Sequence, residues 1–228
     1  MIVRSKSTTS AINNKRVHID LVKREDIPEI CKLMKETNYF LPAGLGSPGV
    51  CSAVCKDALK RNDVIIAVAK LDKSVVGYSI KVIHRSRYWK SFVFRYPFLG
   101  VKIFSGFLLR RFKKITKNKH ESFKHSVEDL VEIVSTNRTW KDSSESIAKA
   151  EHTAVSNNAR GRSIGLKLHL YTFKILRERG ITRVDNTISF DNISSIRMNR
   201  KAGWSFSLTC DYLFGTIDLT NKSEIDID

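Results

Sequence analysis

An α/β fold of the α+β kind, helices flanking a sheet, is predicted by three features of the chain. The segment from Glu151 to Trp204 reads strand, Arg/Gly/Ser turn, long helix, strand, short helix, Gly-Trp. Within it, Ile164 to Arg179 has apolar residues at helical spacing: Ile164, Leu168, Tyr171 and Ile175 form one stripe, Leu166, Leu170 and Phe173 another. Upstream, Val64 to Lys70 and Ser74 to Val82 are β-type runs around Leu71-Asp72-Lys73, which is the pattern of a hairpin.

In chain order, residues 1–16 are polar and basic and read as a flexible arm. Val17 to Val22 alternates as a strand. Arg24-Glu25-Asp26-Ile27-Pro28 opens a helix with Asp26 as N-cap, Pro28 in the first turn, and an apolar stripe of Ile27, Ile30, Leu33 and Met34. Asn38 to Gly49 holds two prolines and three glycines and reads as a loop, with a second helix from Val50 to Arg61. Glu121 to Ser146 is polar and mixed, with a helix near Val127 to Val134. Ile147 to Val155 is a strand, and Gly180 closes the long helix as a C-cap. Ile181 to Phe190 is a further strand, Ile193 to Lys201 a short helix, and Trp204 to Ile217 one or two strands before a polar, acidic tail. Residues 17–228 make one domain, with an insertion at about 84–146.

The insertion is the compositional oddity. From Lys73 to His120 there is no Asp or Glu, while Arg85, Arg87, Lys90, Arg95, Lys102, Arg110, Arg111, Lys113, Lys114, Lys117 and Lys119 accumulate among nine aromatic residues from Tyr88 to Phe112. Three readings fit: aromatics packed into the core under a solvated basic rim, an anionic membrane surface, or nucleic acid or another anionic substrate. Charges and Pro97 interrupt the stretch too often for it to span a bilayer.

With 228 residues and 42% hydrophobic composition the chain can bury a sizeable core. Its net charge of +17 points to an anionic partner. Cys31, Cys51, Cys55 and Cys210 show neither metal spacing nor a secreted disulfide framework, so reduced packing cysteines and no metal are expected. The N-terminus lacks an apolar signal core. A cytoplasmic protein is expected, peripheral at the inner membrane surface if the insertion docks there.

The functional residues centre on the turn Arg160-Gly161-Arg162-Ser163-Ile164-Gly165, set between a strand and a helix. Glycines and small residues there let backbone N–H groups approach an anion closely, and the helix N-terminus adds its positive dipole end. The turn resembles the Arg/Gln-x-x-Gly-x-Gly/Ala signature of the GNAT N-acetyltransferase superfamily, with Ser163 in the middle glycine position. A second signature of that family, Asn-x-x-Ala-x-x-Leu-Tyr-x-Lys-x-Gly-Phe, is matched in register by Asn192, Ser195, Met198, Asn199, Lys201, Gly203 and Trp204. The resemblance implies a central mixed, mostly antiparallel sheet flanked by helices, and acetyl-CoA as cosubstrate. It also implies transfer of an acetyl group to a primary amine. The acceptor expected is a small molecule, an amino sugar of surface-polysaccharide biosynthesis being one candidate. An anionic membrane surface and a second copy of the chain are further candidate partners; nucleic acid is disfavoured.

Acyl transfer to an amine needs the cofactor held, the amine deprotonated and the oxyanion stabilised. Residues 160–165 would hold the diphosphate. A helix from an Asn192 N-cap puts Asn192, Ser195 and Asn199 on one face, which in the family lies beside the pantetheine arm. The oxyanion would meet a backbone N–H near Ala154 or Val155. Glu151 or His152, on the strand before the turn, would take the amine proton. Neighbours on a strand face opposite sides, so one at most should reach the cleft, and Glu151, sharing a face with Thr153 and Val155, is favoured. Asn199 stands where the family commonly has a Tyr general acid, and an amide cannot supply a proton. Tyr212 is a substitute, unless the thiolate leaves unaided. The rival reading is a GNAT-like binding module, non-catalytic or weakly so, attached to membrane or nucleic acid through the insertion.

Overall fold

The computed structural model describes residues 16–37, 48–99, 101, 146–209 and 212–220. Seven strands appear in it: β1 (Val17–Leu21), β2 (Val64–Leu71), β3 (Ser74–Ile83), β4 (Ile147–Val155), β5 (Arg183–Ile188), β6 (Ser205–Leu208) and β7 (Leu213–Asp218). They form one sheet in the order β1-β2-β3-β4-β5-β7-β6. Every neighbouring pair is antiparallel except β4 and β5. The helices are α1 (Ile27–Glu36), α2 (Pro48–Ala58), α3 (Arg85–Arg95), α4 (Ile164–Glu178) and α5 (Ile193–Lys201).

The sheet is covered on both faces, which explains why Val64–Ala69 of β2 is an unbroken buried run and not an alternating one. On one face α1, α2 and α3 pack Ile30, Leu33, Val50, Val54 and Phe92 against Tyr78, Ile80 and Val82 of β3. On the other, Phe173 and Leu176 of α4 and Ile196 of α5 meet Val184, Ile188, Trp204, Phe206 and Leu213. Among the described residues no helix is long and apolar enough to cross a membrane.

Local chemistry sets the boundaries. Asp72 takes a left-handed φ of 58° in the two-residue turn between β2 and β3, a conformation Asp tolerates. Gly180 (φ 75°) ends α4 in a Schellman motif: its N–H reaches Arg177 O (2.9 Å), and the N–H of Ile181 reaches Leu176 O (3.0 Å). That closure delays β5 to Arg183, two residues later than the apolar pattern predicts.

Two other expectations are corrected. Helix α2 starts at Pro48 and not Val50, because a proline in the first turn gives up an N–H that has no helical acceptor. Asp26 does not cap α1 with its side chain. Its buried carboxylate instead accepts from the Lys23 N–H (2.8 Å) and pairs with Lys70 of β2, pinning a short 3₁₀ turn to the sheet. The basic arm, the expected helix near Val127 to Val134 and the acidic tail lie outside the described residues, as does most of the insertion.

Candidate active site

The site begins with a defect in the sheet. β4 and β5 pair only through Ile147–Arg183, Ala148–Val184 and Lys149–Asp185. Beyond those pairs the strands part, and residues 150–155 and 186–188 flank a cleft. β4 is irregular on its other edge as well. Ile80 pairs with His152 but Lys81 with Ala150, so Glu151 is the extra residue of a β-bulge. The bulge swaps the faces of the strand. Ala148 and Ala150 belong to the core under α4, whereas Ala154 belongs to the core under α1 and α2.

Strict alternation across Glu151 and His152 therefore fails, and the expectation that only one of them reaches the cleft is overturned: both line the same cavity. The Glu151 carboxylate is 5% exposed and ion-paired to Arg85 at the start of α3. The His152 Nδ1 lies 2.6 Å from the Tyr78 hydroxyl. Burial, with the nearby Lys81 charge, pushes the imidazole pKa down to about 3, so the ring is neutral at physiological pH.

One cavity, about 550 Å³, sits where β4 runs into α4. Ala154, Val155, Arg160, Gly161, Ser163, Ile164, Gly165, Asn192 and Ser195 all line it, and among the described residues its lining holds Arg160, Arg197 and Lys201 but no carboxylate. Gly161 (φ 81°) and Ser163 (φ 55°) both take left-handed conformations, turning the chain into the first turn of α4, whose N–H groups have no helical acceptors. The middle glycine position of the signature is thus a place where backbone geometry favours glycine, and this chain puts a serine there. Gly165 has another reason to be small: a Cβ would lie 2.4 Å from Met198 Sδ, so glycine lets α4 and α5 close together.

Asn192 caps α5, its Oδ1 accepting from the Ser195 N–H (3.2 Å). Asn199, 1% exposed, donates from Nδ2 to Ser195 O (2.8 Å). A second cavity, about 660 Å³, shares His152, Thr153, Asn192, Ser195 and Met198 with the first and extends to Glu151, His169, Asn186, Asp191 and Asn199. Arg162 and Tyr212 line neither cavity; Tyr212 precedes β7 and is 40% exposed.

Sequence reading passed over Lys81 and His169. Both are buried, with Lys81 Nζ 3.4 Å from His169 Nδ1 and 5.8 Å from the centre of the Phe173 ring. Desolvation pulls the Lys81 pKa down to about 7 and that of His169 well below its ordinary value. The signal was present: the alternation of β3 places Lys81 on the same face as Ser79 and Ile83.

No family model and no curated protein matches the chain. Solved structures do. The PaiA N-acetyltransferase of Thermoplasma acidophilum, in complex with coenzyme A, aligns over 89% of this chain and 99% of its own at 10% identity, with a TM-score of 0.56. A GNAT-family acetyltransferase structure from Desulfovibrio desulfuricans gives 90% and 100% coverage, 11% identity and a TM-score of 0.56. The aminoglycoside acetyltransferase AAC(6')-Ib, in complex with coenzyme A and kanamycin, gives 89% and 95%, 13% identity and 0.51. Identities this low speak for architecture alone, and on architecture they agree with the mostly antiparallel seven-stranded sheet flanked by helices: the chain has the fold of the GNAT acetyltransferases.

Proposed function

We propose that the protein is an acetyl-CoA-dependent N-acetyltransferase acting on a primary amine of a small, hydroxyl-rich molecule, an amino sugar being the class that fits best. The observation that supports this most is the cavity at the N-terminus of α4, lined among the described residues by three cations and no carboxylate, which opens into the gap between β4 and β5. A diphosphate there meets Arg160, Arg197 and Lys201 together with the backbone N–H groups of the 161–165 turn. An uncharged amide-bearing arm can then lie along the unpaired edge of β4 and hydrogen-bond to it as a strand would. On that edge the Val155 N–H is the candidate donor for the oxyanion, since the Ala154 N–H, like that of Ser156, points to β3.

The second cavity suits the acceptor. Glu151 and Asp191 attract an ammonium group, and Thr153, Asn186 and Asn192 offer partners to hydroxyls. We assign the proton-accepting role to His152, since Arg85 holds Glu151; with a pKa of about 3 the ring is a weak base that takes the proton only once the attacking nitrogen has become cationic and acidic. The ring's Nδ1 lies 2.6 Å from the Tyr78 hydroxyl, a contact that holds the neutral imidazole in place. Asn199, whose Nδ2 is taken up by Ser195 O and Oγ, cannot protonate a leaving sulfur; a thiol pKa of about 8.5 makes the thiolate a tolerable leaving group. That missing acid is the observation favouring the other reading, a GNAT-like module that binds coenzyme A with little or no turnover.

The test is calorimetry with coenzyme A, followed by thiol release from acetyl-CoA across a panel of amino sugars, polyamines and peptide amines. Binding and amine-dependent release establish the enzyme. Binding without release leaves the module, and the absence of both overturns the proposal.

A further inference from the structure

Helix α3 has two faces that differ in kind, a feature unrelated to acetyl transfer. Its inner stripe is core: Tyr88 and Phe92 are buried, with Trp89, Tyr96 and Leu99 packed beside them. Two of its cations are spent internally, Arg85 on Glu151 and Arg95 on Asp57 at 2.9 Å. The Arg61 guanidinium lies over the Tyr88 ring, 5.1 Å from its centre. The outer stripe shows no such ion pair among the described residues. Arg87 and Lys90 are exposed there, and helical spacing continues the line to Phe94; Phe98 and Val101 follow after the chain breaks helix at Tyr96. Phe94 is 88% exposed, Phe98 90% and Val101 70%, with Val93 beside them at 43%.

Exposed rings beside exposed cations match the composition of a surface that meets a lipid headgroup region. There, aromatic and aliphatic groups reach the acyl boundary and ammonium and guanidinium groups stay level with phosphates. We infer that this outer stripe of α3, together with Phe98 and Val101, docks the protein on an anionic lipid bilayer. The sequence from Lys73 to His120 contains no carboxylate that could repel such a surface, and the basic and aromatic composition continues beyond residue 101. A second copy of the chain is a poor occupant, because a two-fold contact would bring Arg87 and Lys90 against themselves in a molecule of net charge +17. Nucleic acid suits the cations and rings but gives Val93 and Val101 nothing to bury against.

The full-length protein should co-sediment with vesicles containing phosphatidylglycerol at least tenfold more strongly than with phosphatidylcholine alone, and the binding should weaken with salt. The double substitution Phe94→Ser/Phe98→Ser should reduce that binding tenfold or more without changing the circular dichroism spectrum or coenzyme A affinity, since neither ring touches the core or the cavities. Arg87→Glu/Lys90→Glu should reduce binding and flatten its salt dependence. Three results would overturn the inference: no vesicle binding, binding indifferent to the two phenylalanines, or loss on Phe94→Ser/Phe98→Ser of a lipid-independent dimer or a nucleic-acid complex instead.

Discussion

Lys81 is the residue furthest from the habits of its type, an amine at 0% exposure on a central strand. Its folded pKa of about 7 lies below the ordinary 10.5. Between those values the unfolded chain holds a proton that the folded protein has shed, so stability rises with pH through that window and the penalty is full below it. Lys81→Met should therefore raise the urea midpoint at neutral pH and below, and remove its rise above about pH 7; a midpoint series over pH measures both. His152 works at the acid end. With its folded pKa near 3 against an ordinary 6.5, the unfolded chain takes up a proton first as pH falls, and stability is lost from about 6.5 downward. His152→Gln should flatten that acid limb. It should also slow thiol release by roughly 100-fold or more while coenzyme A affinity stays nearly unchanged, a split that a folding defect would not produce. The roles of these residues were only partly legible. Asn192 could be read as a cap because its partner is three residues away. The tie between Glu151 and Arg85 spans 66 positions and depends on a bulge that no local pattern announces.

At the scale of elements, sequence reading did best where one periodicity ran uninterrupted: α4 and α5 start where their apolar spacing does, and the β2–β3 turn falls on Asp72. It did worst where an element is shaped by something distant. Asp26 is drawn to Lys70, and β4 changes face in mid-strand. The junction before α4 carries two tests. Ser163 at φ 55° holds a conformation that costs an ordinary L-residue about 1–2 kcal/mol. Ser163→Gly should relieve it, less the entropy that glycine brings to the unfolded chain, for a net gain of roughly 0.5–1 kcal/mol in denaturant titrations. Gly165→Ala should do the opposite. The added methyl meets Met198 Sδ, and that flexible side chain must leave its rotamer to make room, at a cost of about 0.5–1.5 kcal/mol. Combining it with Met198→Ala should recover part of the loss, since the obstructing atom is then gone.

The molecule as a whole is two half-sheets sharing a short border. β1 to β4, with α1 to α3 and most of α4, make one; β5, β7, β6 and α5 make the other. Three residue pairs of β4 and β5 join them, helped by the apolar cluster around Phe173 and Trp204. A ligand lying in the gap supplies main-chain partners that the sheet itself omits. Coenzyme A at 100 times its Kd should thus stabilise the fold by about 2.7 kcal/mol, roughly 5–10 °C in Tm. Amide exchange should slow most at 150–155 and 186–188, the residues facing the gap. No stretch of sequence displays this division, because it arises from where two strands stop pairing and not from any residue's preference.

That short border also makes the protein mechanically uneven. Pulled apart across the strands, the sheet should tear first at the Lys149–Asp185 end, at a force set by three rungs, and each half should hold its shape for a moment after the rupture. An occupied gap acts as a splint, so the force needed to open the molecule in an optical trap becomes a direct gauge of whether the cleft is filled.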